Sequence, residues 1–307
     1  MFFFQSPAQT SHPVTTKNAT RADEQWLASM KHHQSLRLTH KRDVCASHYG
    51  TKGSSQAYIR MKSMFDLTYA NDDHRFLIST VWKCGASHWR EVVRLLHLNG
   101  SKEFRRRQKD PYLTLNRVPD SQSKLRDYFK VMFVRHPFAR LLSAYRDKVN
   151  GTAIPYYQNK AKKMIQYHRK GATKAEIESA NATFLEFCTW LAYGAKGDNG
   201  DFHWYPLTKK YQMCQIPYDF IGKMETLADD VTYLFRLLKI DKLVSFPGGY
   251  NHTLSGDESL LHKYYRAIPD NIIKLLVKRY EGDFRIFGYR FPQNNSDFIN
   301  TVDLKGV

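Results

Sequence analysis

Along the chain, short unbroken apolar runs alternate with stretches in which apolar residues recur every three or four positions. Phe76-Leu77-Ile78-Ser79-Thr80-Val81 is a compact run of β-formers and predicts a buried strand. Trp89, Val92, Val93 and Leu96 then fall at i, i+3, i+4 and i+7, the spacing of an amphipathic helix. The same order recurs at Lys130-Val131-Met132-Phe133-Val134, a second strand. Pro137 suits the first turn of the helix that follows, Leu141, Leu142 and Tyr145 continue it, and Lys148 lies near its end, where a cation is favourable. Tyr218 to Gly222 predicts a third strand. A helix follows on Leu227, Val231, Leu234, Phe235 and Leu238. Tyr156 to Ala175 reads as a basic helix and Thr183 to Tyr193 as an apolar one. Ile272, Leu275, Leu276 and Arg279-Tyr280 mark the last. Strand, short turn and helix in repetition predict an α/β fold with a central, mainly parallel sheet flanked by helices. The apolar stripes are core, and no internal repeat or low-complexity tract is present.

Residues 1 to about 70 lack such periodicity. They are polar, with clusters at Lys31-His32-His33 and His40-Lys41-Arg42 and a Gly53-Ser54-Ser55 stretch. The expected organisation is an irregular stem or surface-wrapping arm over 1–70, a catalytic domain over 71–292 and a tail over 293–307. The histidine clusters have no second ligand group at metal spacing, so no metal site is expected.

Composition narrows the class. With 307 residues, 42% hydrophobic and 14% aromatic, the chain has ample material for a core, which excludes wholesale disorder. Lys plus Arg number 47 against 29 Asp plus Glu, a formal charge of +18. That excess implies an anionic partner: nucleic acid, an acidic membrane surface, an acidic glycan or a phosphorylated cofactor. No run approaches the ~18–20 apolar residues of a membrane span, and Met1-Phe2-Phe3-Phe4 turns polar too soon for a signal peptide. Glycosylation acceptors point to a lumenal protein: Asn18, Asn99, Asn150, Asn181, Asn251 and Asn294 each open an Asn-x-Ser/Thr triplet, where composition predicts roughly 1.6. The missing anchor is therefore read as a truncated or alternative N-terminus. Cys45, Cys84, Cys188 and Cys214 allow three full pairings, and sequence does not choose among them.

In an open parallel sheet, ligands sit beyond the carboxyl ends of the strands, at free helix N-termini. Two loops there could hold an anion. Thr80-Val81-Trp82-Lys83-Cys84-Gly85-Ala86-Ser87-His88-Trp89 offers a cation, a glycine and a hydroxyl at a helix start. It is not a Walker A loop, because Lys83 precedes Gly85. The second is Phe133-Val134-Arg135-His136-Pro137-Phe138-Ala139-Arg140-Leu141-Leu142-Ser143-Ala144-Tyr145-Arg146-Asp147-Lys148. Arg135 can fork onto a phosphate, and Ser143 lies about two helical turns further on. Taken singly, an ordinary turn, an Arg–carboxylate pair and a packing serine are alternatives.

Together these loops resemble the Golgi carbohydrate sulfotransferases of the chondroitin/dermatan 4-O-sulfotransferase type. Two further blocks agree with that family, His203-Trp204 with Tyr218 to Leu227, and Tyr280-Glu281-Gly282-Asp283-Phe284 to Phe287-Gly288-Tyr289. The resemblance implies a P-loop-like sulfotransferase fold, 3′-phosphoadenosine-5′-phosphosulfate as donor, no metal, and a Golgi-lumen enzyme of type II membrane topology. Lys83, Cys84, Gly85, Ala86, Ser87 and His88 would form the 5′-phosphosulfate loop. Arg135 and Ser143 would bind the 3′-phosphate, with Arg140 counted among the donor-binding residues. Departures are Trp82, Ala86, Ser87 and His88, where the family shows Pro, Cys, Thr and Asn, and Tyr211 in the first position of a Cys-x-x-Cys that ends at Cys214. Lys83 is the expected catalytic group at the leaving oxygen. His203, beside a possible sugar platform in Trp204, is the candidate base, with a packing role as its alternative. The expected partner is an acidic glycan, preferably chondroitin-type, engaged by Arg105-Arg106-Arg107 and the Lys160 to Lys174 segment. The rival readings are a non-catalytic acidic-glycan-binding paralogue and a basic nucleic-acid-binding protein. Scattered basic residues and the lack of a nucleic-acid motif weigh against the latter.

Overall fold

Runs that are apolar at every position need burial on both faces, and three of the four strands have it. The sheet comprises β1 (Thr68–Asn71), β2 (Phe76–Ser79), β3 (Phe129–Val134) and β4 (Phe220–Lys223), hydrogen-bonded in that order. β2 pairs parallel with β3 and β3 with β4, registering Ile78 on Val131 and Met132 on Ile221, while β1 is antiparallel to β2. This computed structural model describes residues 14–49, 64–97, 114–194, 200–247, 258–295 and 297. Arg105-Arg106-Arg107 and the acceptors Asn99 and Asn251 lie outside the described residues.

The two-residue alternation of strand side chains sorts the core into two halves. Phe76, Ile78, Val131, Phe133 and Phe220 face one side. There they pack with Trp89, Val92, Val93 and Leu96 of the helix after β2 and with Val231, Leu234 and Phe235 of the helix after β4. Leu77, Met132, Val134 and Ile221 face the other side, against the helix after β3 and the C-terminal helices. A Cβ at Gly222 would overlap the Phe133 ring, so β4 lies against that ring only because residue 222 has no side chain. The mixed sheet flanked by helices agrees with the α/β expectation, and β1 is the strand that the pattern missed.

The helices, in chain order, are α1 (Val14–Val44), α2 (Ala86–His97), α3 (Ser121–Asp127), α4 (Pro137–Lys148), α5 (Pro155–His168), α6 (Lys174–Glu178), α7 (Phe184–Ala192), α8 (Leu207–Lys210), α9 (Leu227–Leu237), α10 (Glu258–Tyr265) and α11 (Asp270–Ile286). Thr173 and Thr183 open α6 and α7 with reciprocal capping boxes to Glu176 and Glu186. The first of these splits the helix expected over Tyr156 to Ala175.

The expected irregular arm over 1–70 is corrected by α1, a helix of 31 residues, and by β1, which starts at Thr68. Hydrophobic periodicity could not find α1, because its docking stripe is polar. Gln34, Arg37 and Lys41, at i, i+3 and i+7, are all buried. Gln34 pairs its carboxamide with both backbone groups of Ile221, accepting the N–H and donating to the carbonyl, at 3.2 Å each. Arg37 donates to the same carbonyl at 3.1 Å and to both oxygens of Asp230 at 2.8 Å, and Lys41 donates to the Ile216 carbonyl at 3.0 Å. β4 is a sheet edge, and these side chains satisfy backbone groups that a neighbouring strand would otherwise take. A single π-helical turn (Cys45–Tyr49) follows. The Cys45–Cys214 disulfide fastens it to the core with its Cα atoms 5.3 Å apart, and Cys84 and Cys188 are buried free thiols.

Candidate active site

The carboxyl ends of β2, β3 and β4 meet at one place and carry Lys83, Arg135 and Glu225 respectively. After β2 the chain turns through two left-handed residues, Lys83 (φ 71°) and Gly85 (φ 77°), before α2 begins at Ala86. Glycine adopts that conformation freely, whereas at a lysine it costs on the order of 1–2 kcal/mol. Such strain is characteristic of functional turns. The first turn of α2 leaves backbone N–H groups without intrahelical acceptors and adds its positive dipole end. The exposed Ser87 hydroxyl stands beside it, accepting from Arg90 at 3.4 Å.

Lys83 Nζ binds Asp147 on α4 at 2.9 Å, and Lys148 Nζ reaches the same carboxylate at 3.2 Å. Burial opposes ionisation of Asp147, but the two lysines outweigh it and hold the carboxyl below its usual range. Arg135 is buried, with Nη1 3.5 Å from the Lys83 carbonyl. Burial lowers its pKa and the Glu225 charge opposes that shift, yet an arginine stays protonated. The carboxylate beside it is not free. Glu225 accepts the His136 N–H at 2.7 Å and the Tyr289 hydroxyl at 2.9 Å, and burial raises its pKa despite those bonds. His136 caps α4, accepting the Phe138 N–H through Nδ1 at 3.3 Å. Burial, then Lys223 and Arg135, push its pKa down to about 3, so it is a neutral cap.

Arg140 ties the first loop to a second one. It is 1% exposed. Its Nε donates to the Trp82 carbonyl at 3.3 Å, and its Nη2 donates to the carbonyls of Phe202 and Tyr205 at 3.1 and 2.8 Å. The second loop is held from below by Asp283, which accepts the backbone N–H groups of Leu207 and Thr208, each at 2.8 Å.

Inside this frame His203 is 8% exposed. Its Nδ1 lies 2.8 Å from Asp201 Oδ1 and 3.0 Å from the Tyr157 hydroxyl. An ionised carboxylate only accepts, so Nδ1 carries a proton, and in the neutral imidazole the lone pair is then on Nε2. Burial opposes ionisation of Asp201, but the hydrogen bonds from His203 overcome it and hold the carboxyl below its usual range. Burial and the Asp201 charge keep the Tyr157 phenol protonated. The Trp82 ring packs on His203 with centroids 4.7 Å apart, and Lys148 stands 5.5 Å from the centre of the Tyr157 ring. The chain Lys83–Asp147–Lys148–Tyr157–His203 therefore joins the two expected catalytic residues through direct contacts. This arrangement offers charge for an anion and an oriented base, the parts required for transfer of an anionic group to a hydroxyl.

Beside Tyr205 opens a cleft of about 720 Å³. Lys209, Lys210, Lys278 and Arg279 line it, with Glu281 as its acid and Tyr49 and Tyr205 as aromatic walls.

A sequence model of the sulfotransferase family matches residues 66–290. The chain belongs to the sulfotransferase family. It is 32% identical over 246 residues to carbohydrate sulfotransferase 14 of Danio rerio, covering 78% of this chain and 66% of that protein. Against carbohydrate sulfotransferase 10 of Homo sapiens it is 30% identical over 256 residues, covering 75% and 69%. Against carbohydrate sulfotransferase 12 of Mus musculus it is 36% identical over 180 residues, covering 56% and 42%. No solved structure matches the chain at a significant level.

The residues expected to hold the family's donor are brought together unevenly. Lys83, Gly85, Ser87 and His88 lie on the turn and first helical turn, with the His88 ring against Phe246. Cys84 and Ala86 are buried, and burial lifts the Cys84 thiol to about 12, so only their backbone could face an anion. Ser143 lies on the buried side of α4. Arg140, grouped with the donor residues by motif, has its guanidinium on the carbonyls of Trp82, Phe202 and Tyr205. Asp147, Tyr157 and Asp201 were missed, although Asp201 stands two residues before His203 and Asp147 closes the α4 motif. Among the described residues no group of His, Cys, Asp and Glu is arranged to hold a metal ion, and no helix is long and apolar enough to cross a membrane.

Proposed function

We propose that the chain transfers the sulfuryl group of 3′-phosphoadenosine-5′-phosphosulfate to a hydroxyl of an acidic glycan, preferably of chondroitin type. The observation that carries this reading is the Asp201-held imidazole of His203 in contact with the loop that bears Lys83. Lys83 and the N-terminus of α2 would take the 5′-phosphosulfate, and Arg135 with Ser143 the 3′-phosphate, in a P-loop-like arrangement. In the reaction the acceptor O–H gives its proton to His203 Nε2 as the new O–S bond forms. The S–O bond to the 5′-phosphate breaks, and its electron pair leaves on the phosphate oxygen, where Lys83 would neutralise the growing charge.

A basic cleft that includes Tyr205, two positions after His203 in the sequence, supports an acidic acceptor. The names of the relatives support a carbohydrate one. A lumenal, Golgi setting is supported by the Cys45–Cys214 disulfide and by exposed Asn150 and Asn181 in glycosylation triplets. The test is calorimetry with adenosine 3′,5′-bisphosphate together with the pH–rate profile of His203→Ala. Nucleotide binding that Arg135→Met abolishes, and loss of the acid limb of the profile in His203→Ala, support the assignment. A protein that does not bind the bisphosphate contradicts it.

A further inference from the structure

Two polar atoms of the second loop's contact with the first are buried without a hydrogen-bond partner: Nε1 of Trp82 and Nε2 of His203. They belong to rings in contact, with centroids 4.7 Å apart at an interplanar angle of 49°. A buried donor or acceptor left unmet is costly, so two on adjoining rings form an unfavourable arrangement in the absence of a ligand. The structure also invests in keeping it. Arg140 binds the carbonyl of Trp82 on one side and those of Phe202 and Tyr205 around His203 on the other. Asp201 holds the imidazole through Nδ1, and the Arg90 guanidinium lies over the indole, 5.5 Å from its centre.

The chemistry of the two atoms is complementary. An indole N–H can only donate, and the Nε2 lone pair of this tautomer can only accept. An O–H group, whether of water or of a bound sugar, meets both demands, accepting from the indole and donating to the imidazole. An ammonium group, which only donates, or a carboxylate, which only accepts, meets one of them.

We propose that Trp82 is an acceptor-binding residue: its indole N–H holds the oxygen of the sugar hydroxyl whose proton faces His203 Nε2. This deepens the reading of His203 as the base and rests on it. The indole bond aligns the oxygen lone pairs. It also makes the site selective for a hydroxyl that can lie flat against an aromatic wall, as a pyranose ring does. Trp82 then sets acceptor affinity and leaves donor binding to Lys83 and Arg135.

The test uses the full chain, with a desulfated chondroitin oligosaccharide as the probe and adenosine 3′,5′-bisphosphate present. In a proton–nitrogen correlation spectrum the Trp82 indole signal is the one lost in Trp82→Phe. Addition of the oligosaccharide should shift that signal in the wild-type protein. Trp82→Phe keeps the ring that stacks on His203 and Arg90 but removes the donor. It should lower kcat/KM for the oligosaccharide about 10-fold, the value of one neutral hydrogen bond, with the bisphosphate affinity unchanged. A wild-type indole signal that stays fixed while the oligosaccharide binds overturns the proposal even if the variant proves unstable. So does a Trp82→Phe enzyme with wild-type acceptor kinetics, which would leave packing as the role of Trp82. A wild-type protein that binds bisphosphate yet sulfates nothing would instead count against the function on which the proposal rests.

Discussion

Replacing Arg140 by methionine should destabilise the protein by about 3 kcal/mol and uncouple the two loops that form the site. The side chain is 1% exposed and donates to three carbonyls, those of Trp82, Phe202 and Tyr205. Each hydrogen bond from a charged donor is worth about 1.5–3 kcal/mol net. Three would sum to roughly 4.5 kcal/mol at the lower value, but removing a buried cation also relieves its desolvation, which recovers part of the loss. About 3 kcal/mol remains, more than a 100-fold change in the folding equilibrium. Arg140→Lys keeps the charge but lacks the planar fork, so it should retain less than half of the stabilisation. Urea unfolding monitors the effect as a fall in midpoint at constant m-value, and the turnover of the folded variant should fall while bisphosphate affinity stays near wild type. If Arg140→Met loses less than about 1 kcal/mol and turns over normally, Arg140 does not tie the loops together. If bisphosphate affinity collapses with folding intact, Arg140 is a donor ligand after all.

Other consequences concern the frame. The Cys45–Cys214 bond spans 169 residues, and on the chain-entropy argument a loop of that size is worth about 5 kcal/mol; Cys45→Ser should therefore unfold at markedly lower denaturant, and an unshifted midpoint would mean that the bond does not constrain the fold. Arg37→Met leaves Asp230, 0% exposed, with its charge facing only neutral donors, the Lys223 N–H, the Thr226 hydroxyl and the Gln34 carboxamide; thermal unfolding should show a loss of about 3–5 kcal/mol. His136 has a folded pKa of about 3 against 6.5 when unfolded. The unfolded chain therefore binds the extra proton between those values, and stability falls as pH drops through 6.5. At pH 5 the loss attributable to this residue is about 2 kcal/mol. His136→Asn, which retains a capping side chain, should flatten that part of the curve, and an unchanged slope would refute the assignment.

The sheet was legible because its central strands are buried on both faces. Phe76 to Ser79 and Val131 to Val134 are apolar runs that no solvent-facing strand would carry. The helix from Pro137 to Lys148 was legible from its proline start and cationic end. What the sequence hid is held by polar contacts. Gln34 and Arg37 bury themselves by completing the edge of β4, and no hydrophobic period marks such a face. In the same way the motif names Arg140 without revealing that its donors point to backbone. The partners of His203 come from α5 and from a loop far away in sequence, so Tyr157 could not be assigned before the fold brought it within 3.0 Å of the imidazole. Asp201 was missed as well, although its place two positions before His203 is a signal for an orienting carboxylate.

Sulfuryl transfer through Lys83 and His203 is read out by incorporation of radiolabelled sulfate from 3′-phosphoadenosine-5′-phosphosulfate into a panel of desulfated glycosaminoglycans, with disaccharide analysis of the product. The wild-type chain should show donor-dependent incorporation, strongest on a chondroitin-type acceptor, with a loss of at least about 100-fold in both Lys83→Ala and His203→Ala. Near-wild-type turnover in either variant would contradict it, and so would a wild-type chain that binds the nucleotide and the glycan but transfers no sulfate.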